Sequence, residues 1–504
     1  MSHEDEKPNS VPFTQTNSIA SSLTHVLSNE KSPVTPELPS KFQAGHGESA
    51  LPDDKIEEAI ENREEDWEND PENARNWSTA KKWTAVSIVS FYTFVSPLAS
   101  SMMAPGLPEV AQKYGITNSS ILALTLSIFL LSFAIGPLIF APLSEMYGRT
   151  WVLHIANIFT MGFSLGCAFA PTTGALIGFR FLSGLAGSAP IAIGAGSIGD
   201  MFSERDRASA MAIFSLGPLI GPVVGPIAGG FIAQTIGIKW VFIVIAITCG
   251  VASLFGIPLL KETYAPVIRL QRDASKGIDP EIAVKLHPHL SATHGNKWNF
   301  FVDNLSRPII MLFSSLVCFM LSLYMAFLAV LGIYYLMFAT FAELFHNTYG
   351  FSAGTGGLAY LGLGIGFLVS TIFGAKWADA AYKHASLASK NGGVGTPEMR
   401  IPALSFGSLF VPIGLLWYGW SAAAKIHWIM PIIGSGIYGF GGLPIQLYLV
   451  DAFTFAASAT SAAAFFRSLF GFVFPLFGQQ MFDRLGLGGG NSVCLSLLYM
   501  TLQF

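Results

Sequence analysis

Charge is what this chain lacks. Lysine, arginine, aspartate and glutamate supply 12% of its 504 residues, about half the share of a soluble domain. Hydrophobic residues supply 51%, and the mean hydropathy is +0.51. That composition excludes an ordinary soluble domain and a nucleic-acid-binding surface, and it indicates a polytopic, all-α membrane protein. Cysteine is also sparse: Cys167, Cys249, Cys318 and Cys494 sit in apolar runs without the paired spacing of a metal site, so neither a disulfide framework nor bound metal is expected. No paired carboxylates, histidine cluster or nucleophile–base spacing recurs at one membrane depth. An enzyme and a cofactor are therefore not expected. His154, His346 and His427 stand apart and read as interface residues.

What is abundant is the long apolar run. Residues 1–80 are rich in Ser, Thr, Pro, Glu and Asn and read as a disordered cytoplasmic tail, with a short helix near 56–67. Beyond them, runs long enough to cross about 30 Å of hydrocarbon fall near 83–104, 119–140, 151–170, 173–197, 208–233 and 239–260. A second set falls near 312–338, 355–376, 402–421, 427–449, 460–480 and 489–504. The expected parts are thus a six-helix half at 81–260, a cytoplasmic loop at 261–308 and a six-helix half at 309–504. Basic residues agree with an internal N-terminus: Arg149, Arg205, Arg207, the many between Lys261 and Arg307, and those between Lys376 and Arg400 share one side. The other side holds Lys113, Lys239, Lys425 and Arg484. The last span is short, so either the run Gly486–Gly490 also lies in the membrane or the chain ends early.

The stretch from Gly217 to Gly230 repeats glycine at 217, 221, 225 and 229, with Pro218, Pro222 and Pro226 on the adjacent face. Four-residue spacing places the glycines on one helix face, where a neighbouring backbone can approach closely. Gly362, Gly366, Ser370 and Gly374 repeat the interval in the eighth span, and the two helices are read as partners across a central seam. Two GxGxxG segments, at 194–199 and 434–439, lack the strand and βαβ unit of a dinucleotide site and are read as packing glycines.

Arg180 lies inside an apolar span, at a cost of about 2.5–3.5 kcal/mol on insertion scales. Two readings stay open: a functional cation that binds an anion or sets the pKa of a carboxylate, and a structural clamp. Glu145, Gly148 and Arg149 occupy the connection after the second span. Asp200 and Arg207 occupy that after the fourth, and Asp451 follows the tenth. Charges against helix ends suit latches that hold one conformation and release another, Glu145 holding Arg149 or a neighbouring helix terminus among them.

These residues carry a family resemblance. The region from Trp77 to Gly490 resembles the major facilitator superfamily, and within it the twelve-span drug:proton antiporters, fungal polyamine and multidrug exporters especially. Gly221-x-x-x-Gly225-Pro226-x-x-Gly229-Gly230 resembles the fifth-helix antiporter motif. Arg180-x-x-x-Gly184 resembles the fourth-helix motif, which implies a role for Arg180 in proton coupling, although Ser183 replaces a glutamine. Ala141-x-Leu143-Ser144-Glu145-x-x-Gly148-Arg149 resembles the alternating-access loop motif, with Ala141, Glu145, Met146 and Thr150 departing from it. Asp70-Pro71-Glu72-Asn73, Asn76-Trp77-Ser78, Pro397-Glu398-x-Arg400, and Asp451 with Arg467 are further matches. The resemblance implies two six-helix bundles related by a pseudo-twofold axis. Its implied activity is the export of a small amphipathic or cationic compound in exchange for protons, by a monomer in contact with lipid. The plasma membrane is the expected site, the vacuolar membrane the alternative. Tyr334, Tyr335 and Phe338 on the seventh span are candidate substrate contacts through stacking and cation–π attraction. The rivals are a nutrient facilitator of the same fold and a transporter-shaped receptor.

Overall fold

The computed structural model describes residues 67–203, 206–275, 332–374, 401–441 and 456–502, with scattered positions in 302–323 and residue 377. Among them all regular structure is helical. Helix α1 (Thr79–Ser101) begins where the Ser78 side chain accepts from Lys81 N, and α2 (Leu107–Tyr114) continues it past a 3₁₀ turn. Then come α3 (Ser119–Tyr147), α4 (Arg149–Ala168), α5 (Thr173–Gly187), α6 (Ala189–Met201), α7 (Arg207–Ile236) and α8 (Ile238–Leu259). A short helix, α9 (Ala265–Ser275), occupies part of the expected central loop. The second half contributes α10 (Gly332–Tyr349), α11 (Ala353–Val369, extended by a π-helical turn at Ser370–Gly374), α12 (Ile401–Ala423), α13 (Ile429–Phe440) and α14 (Ala456–Leu502). Seven helical stretches among the described residues are long and apolar enough to cross a membrane.

Several boundaries move. The seventh span runs to Tyr349 rather than 338. The fourth is two helices that break at Ser188, where Pro190 cannot donate to the Ala186 carbonyl. The expected tail ends early: Trp67, Ala74 and Trp77 are buried, and Asn73 Nδ2 donates to the Trp67 carbonyl at 3.0 Å. The Arg269 guanidinium lies 4.8 Å over the Trp67 ring and Arg272 pairs with Asp70, which ties this segment to α9. Most of the helix expected at 56–67 lies outside the described residues.

Single glycines join successive helices where the chain turns back. Gly148 (φ +95°, ψ 154°) links α3 to α4, and Gly237 (φ +94°, ψ 160°) links α7 to α8. Gly486 (φ +70°, ψ 166°) breaks α14 into the last two spans. This backbone region is essentially closed to residues with a Cβ. The glycine run after Gly486 is helical and packs on α12: a Cβ on Gly488 would sit 3.0 Å from the Trp420 ring.

The halves repeat one pattern. In the first, α1 packs on α7, α3 on α5 and α4 on α8. In the second, α14 packs on α10 and α12, and α11 packs on α13. Between halves, α3 meets α14 and α7 meets α11. The four-residue glycine faces do not form that seam. Gly217, Gly221, Gly225 and Gly229 abut α1, where a Cβ on Gly229 would lie on the Met102 carbonyl oxygen. Gly362 and Gly366 abut Ile432 and Gly436 of α13. The α7–α11 contact is instead made by Gly230 against the Ala353 carbonyl, Gly357 against the Pro226 carbonyl and Gly364 against Val223. Spacing marked the close-packed faces correctly, but it does not say which neighbour each face meets.

Phe338, a candidate substrate contact, is buried to 1% exposure. It sits in the core of the second half, 4.5 Å from the Tyr360 ring, whose hydroxyl donates to its carbonyl, and Phe341 and Tyr418 complete the cluster. The side chains of Tyr334 and Tyr335, and all of Asp451, lie outside the described residues.

Candidate functional site

The polar residues that meet away from the apolar core do so where α3, α4, α6 and the segment after α8 end together. Arg149 begins α4, and its Nε donates to Asp200 Oδ2 at 2.7 Å while Nη1 donates to Ser144 Oγ at 3.2 Å. Its ion pair is therefore with Asp200 on α6, although the sequence suggested Glu145 beside it. Thr263 Oγ1 donates to the same Asp200 oxygen at 3.3 Å, and the guanidinium stacks 4.9 Å from the centre of the Tyr264 ring. Gly196, from the first GxGxxG segment, leaves room for that guanidinium: a Cβ there would stand 2.8 Å from Cζ. Burial, and then the neighbouring Glu145 carboxylate, push the Tyr264 phenol above its ordinary pKa. The pair is mostly shielded, with side chains 12% and 20% exposed, so losing either partner costs more than at an open surface.

Glu262 is the residue that sequence reasoning missed. Its carboxylate accepts from four backbone amides: Arg149 N at 2.9 Å and Thr150 N, Thr263 N and Tyr264 N, each at 3.0 Å. One side chain thus caps the start of α4 and the approach to α9, neutralising orphan donors and the positive end of the α4 dipole. Gly148 is required twice over, since a Cβ would meet Glu262 Oε2 at 2.6 Å in addition to the positive φ. The same device recurs at the opposite end of the half, where Glu109 accepts Ile238 N at 2.9 and 3.0 Å beside Gly237. The signal available in the sequence was a lone glycine between two apolar runs; the glutamate itself lies 113 residues from Arg149.

Arg180 is buried to 1% exposure. Its guanidinium donates to the carbonyls of Ala99 (2.8 Å), Ser100 (3.2 Å) and Thr125 (3.4 Å) and lies 4.7 Å over the Phe129 ring. Ala99 and Ser100 belong to the last turn of α1, whose carbonyls lack helical donors. Arg180 therefore caps α1 from α5 and binds both to α3. Arg207 plays a similar part, donating to the carbonyls of Gly199 and Phe202 at the end of α6. Arg467 is half-buried on α14. His154, expected at an interface, is buried, with Nδ1 3.0 Å from the Tyr92 hydroxyl. Among the described residues no cluster of His, Cys, Asp or Glu has metal-site geometry.

Comparison with known proteins fits this arrangement. The family model described as Major Facilitator Superfamily matches residues 89–475. An MFS transporter, prlG, of a fungal species is 43% identical over 89% of this chain and 94% of its own length. The efflux pump vrtL of Penicillium aethiopicum is 43% identical over 85% of this chain and 84% of its own. Among solved structures, a D-xylose–proton symporter superposes with a TM-score of 0.60 at 14% identity, over 82% of this chain and 97% of that one.

Proposed function

This chain belongs to the major facilitator superfamily, and from that premise we propose that it is a proton-coupled exporter of small amphipathic or cationic organic compounds. It is a multi-pass membrane transporter and not an enzyme. The observation that carries the export reading is its likeness, over most of its length, to a relative named an efflux pump. Fungal secondary metabolites are accordingly the first substrate class to try, ahead of polyamines and drugs. The halves at 81–260 and 309–504 rock about the α3–α14 and α7–α11 contacts, exposing a midplane cavity to each side in turn.

In this reading Arg149, Asp200, Glu145, Gly148 and Arg207, with Asp451 and Arg467 from the second half, form the latch of one conformation. Glu262 and Tyr264 join them. The support is that the Arg149–Asp200 pair and the Glu262 cap bring four helix ends to one point, so separating any of them breaks charge-assisted bonds. Arg180, a fixed positive charge buried in the apolar interior, is the residue assigned to proton coupling in this reading. The protein works as a monomer in the plasma membrane, with Trp67 and the latch on the cytoplasmic side.

The test is uptake into inside-out membrane vesicles under an imposed proton gradient, across metabolites, polyamines and cationic drugs. Accumulation that a protonophore abolishes is the expected result. Accumulation indifferent to the gradient, or flow in the opposite direction, would point to a facilitator or importer.

A further inference from the structure

We infer that Gln234 and Gln480 are a symmetry-related pair of bolts that hold the two halves together at the end of the bundle remote from Arg149. The inference rests on the alternating-access reading for its purpose but not for its geometry. Helix α3 starts at Ser119 and ends beside Arg149, while α7 starts at Arg207 and ends at Ile236. Ser120 and Gln234 therefore lie at the same end, opposite the Arg149 cluster. There Gln234 Oε1 accepts from Gly354 N at 2.9 Å, joining α7 to α11. On the other flank Gln480 Nε2 donates to Ser120 Oγ at 3.1 Å, and that hydroxyl donates to the Leu476 carbonyl at 2.7 Å, joining α14 to α3.

The two contacts are one device used twice. Asn118 caps α3 and Ser352 caps α11, so Ser120 and Gly354 each stand two residues past a helix cap. In the pseudo-twofold arrangement α3 corresponds to α11, and α7 to the span of α14 that ends at Gly486. Each glutamine thus reaches across from the last two turns of one helix, Gln234 three residues before Gly237 and Gln480 six before Gly486, to the first turn of the facing helix in the other half. Neither the hydropathy pattern nor the glycine spacing requires an amide at either place. A leucine there would pack equally well against an apolar neighbour, and what it cannot supply is a directional bond. Beside the Gln234 contact lies a cavity of about 350 Å³, lined in part by Gln112, Gln234, Ala342, His346 and Gly356. Parting of the halves at this end would widen that cavity and uncover its buried wall, where Ala342 lies.

The bolts are neutral and partly solvated, so each is weak enough to break in every transport cycle. One net amide hydrogen bond of about 1 kcal/mol or less corresponds to roughly a two- to fivefold shift in an equilibrium. Two such bonds acting on one opening multiply to roughly four- to twenty-five-fold.

The test uses the full chain in nanodiscs, with its four cysteines replaced by alanine and a reporter Ala342→Cys on the buried side of the cavity. The rate of labelling by a hydrophilic maleimide reads opening at this end without requiring any substrate. Gln234→Leu and Gln480→Leu are each expected to raise the rate about two- to fivefold, and the double variant by about the product. Gln112→Leu, which lines the same cavity without a bond across the halves, is expected to leave it unchanged. A double variant that is monodisperse and labels at the parent rate overturns the inference, as does an equal rise in Gln112→Leu. A protein that shows the labelling response but exports nothing keeps the bolts and removes the export reading instead.

Discussion

Removing the Glu262 carboxylate tests the account of the latch most directly. It serves two helix starts through four amide hydrogen bonds, three on Oε1 and one on Oε2. The side chain is only partly buried, so water recovers some of what is lost, and the appropriate scale is that of a helix cap, about 0.5–2 kcal/mol for each helix served. Glu262→Ala is then expected to cost about 1–4 kcal/mol. Glu262→Gln keeps one acceptor oxygen but points an amide N–H₂ at the Thr150 or Arg149 donor, so it should fall between parent and alanine. For a chain of this size a kilocalorie moves the unfolding midpoint by roughly 1–2 °C, extending the scaling of smaller domains. The measurement is thermal unfolding of purified protein in detergent, with a drop of roughly 1–8 °C expected for Glu262→Ala and less for Glu262→Gln. A Glu262→Ala protein as stable as the parent would refute the shared-cap argument, and so would a Glu262→Gln protein less stable than Glu262→Ala.

Glycines distinguish helix faces in a second set of variants. Gly229→Ala and Gly357→Ala put a Cβ against backbone oxygens of Met102 and Pro226, which cannot swing away, and are expected to destabilise by about 1–3 kcal/mol as overpacked sites do. Gly178→Ala meets nothing within 4 Å and should gain roughly 0.5–1 kcal/mol of helix propensity; equal unfolding midpoints for the three would sink this account of the close-packed faces. Arg180→Lys replaces a fork that spans two helices by a single ammonium, which leaves buried carbonyls of Ala99 or Ser100 unpaired and should cost about 1–3 kcal/mol. A lysine variant with parental stability would show that the carbonyls do not need the fork.

The spans were legible because hydropathy adds up along the chain, so boundaries at Ser119 and Ile238 emerge from sequence within a residue or two. Where a proline or glycine acts locally the reading also works, as at Gly148. It fails where a bond joins distant segments: Glu262 reads as one charge in a polar loop, and only the fold brings it to Arg149. Arg180 shows the same limit from the other side. An isolated cation in an apolar span announces that it must be satisfied, but backbone carbonyls leave no mark in a sequence, so the end of α1 could not be nominated as its partner. The α7–α11 pairing was anticipated while its contact faces were not, since a helix rich in glycine and proline offers more than one smooth side.

That smoothness has a consequence for motion. Along much of the α7–α11 contact the touching groups are glycines and the backbone of Pro226, Ala353 and Ile227. Long side chains packed into an interface surrender rotamer freedom when it forms and regain it when it parts, at up to about 2 kcal/mol each. Glycine has none to surrender. The two halves can therefore shift their angle at this contact with little change in side-chain entropy, and the balance between conformations is left to the few polar groups at the helix ends and to whatever the cavity holds.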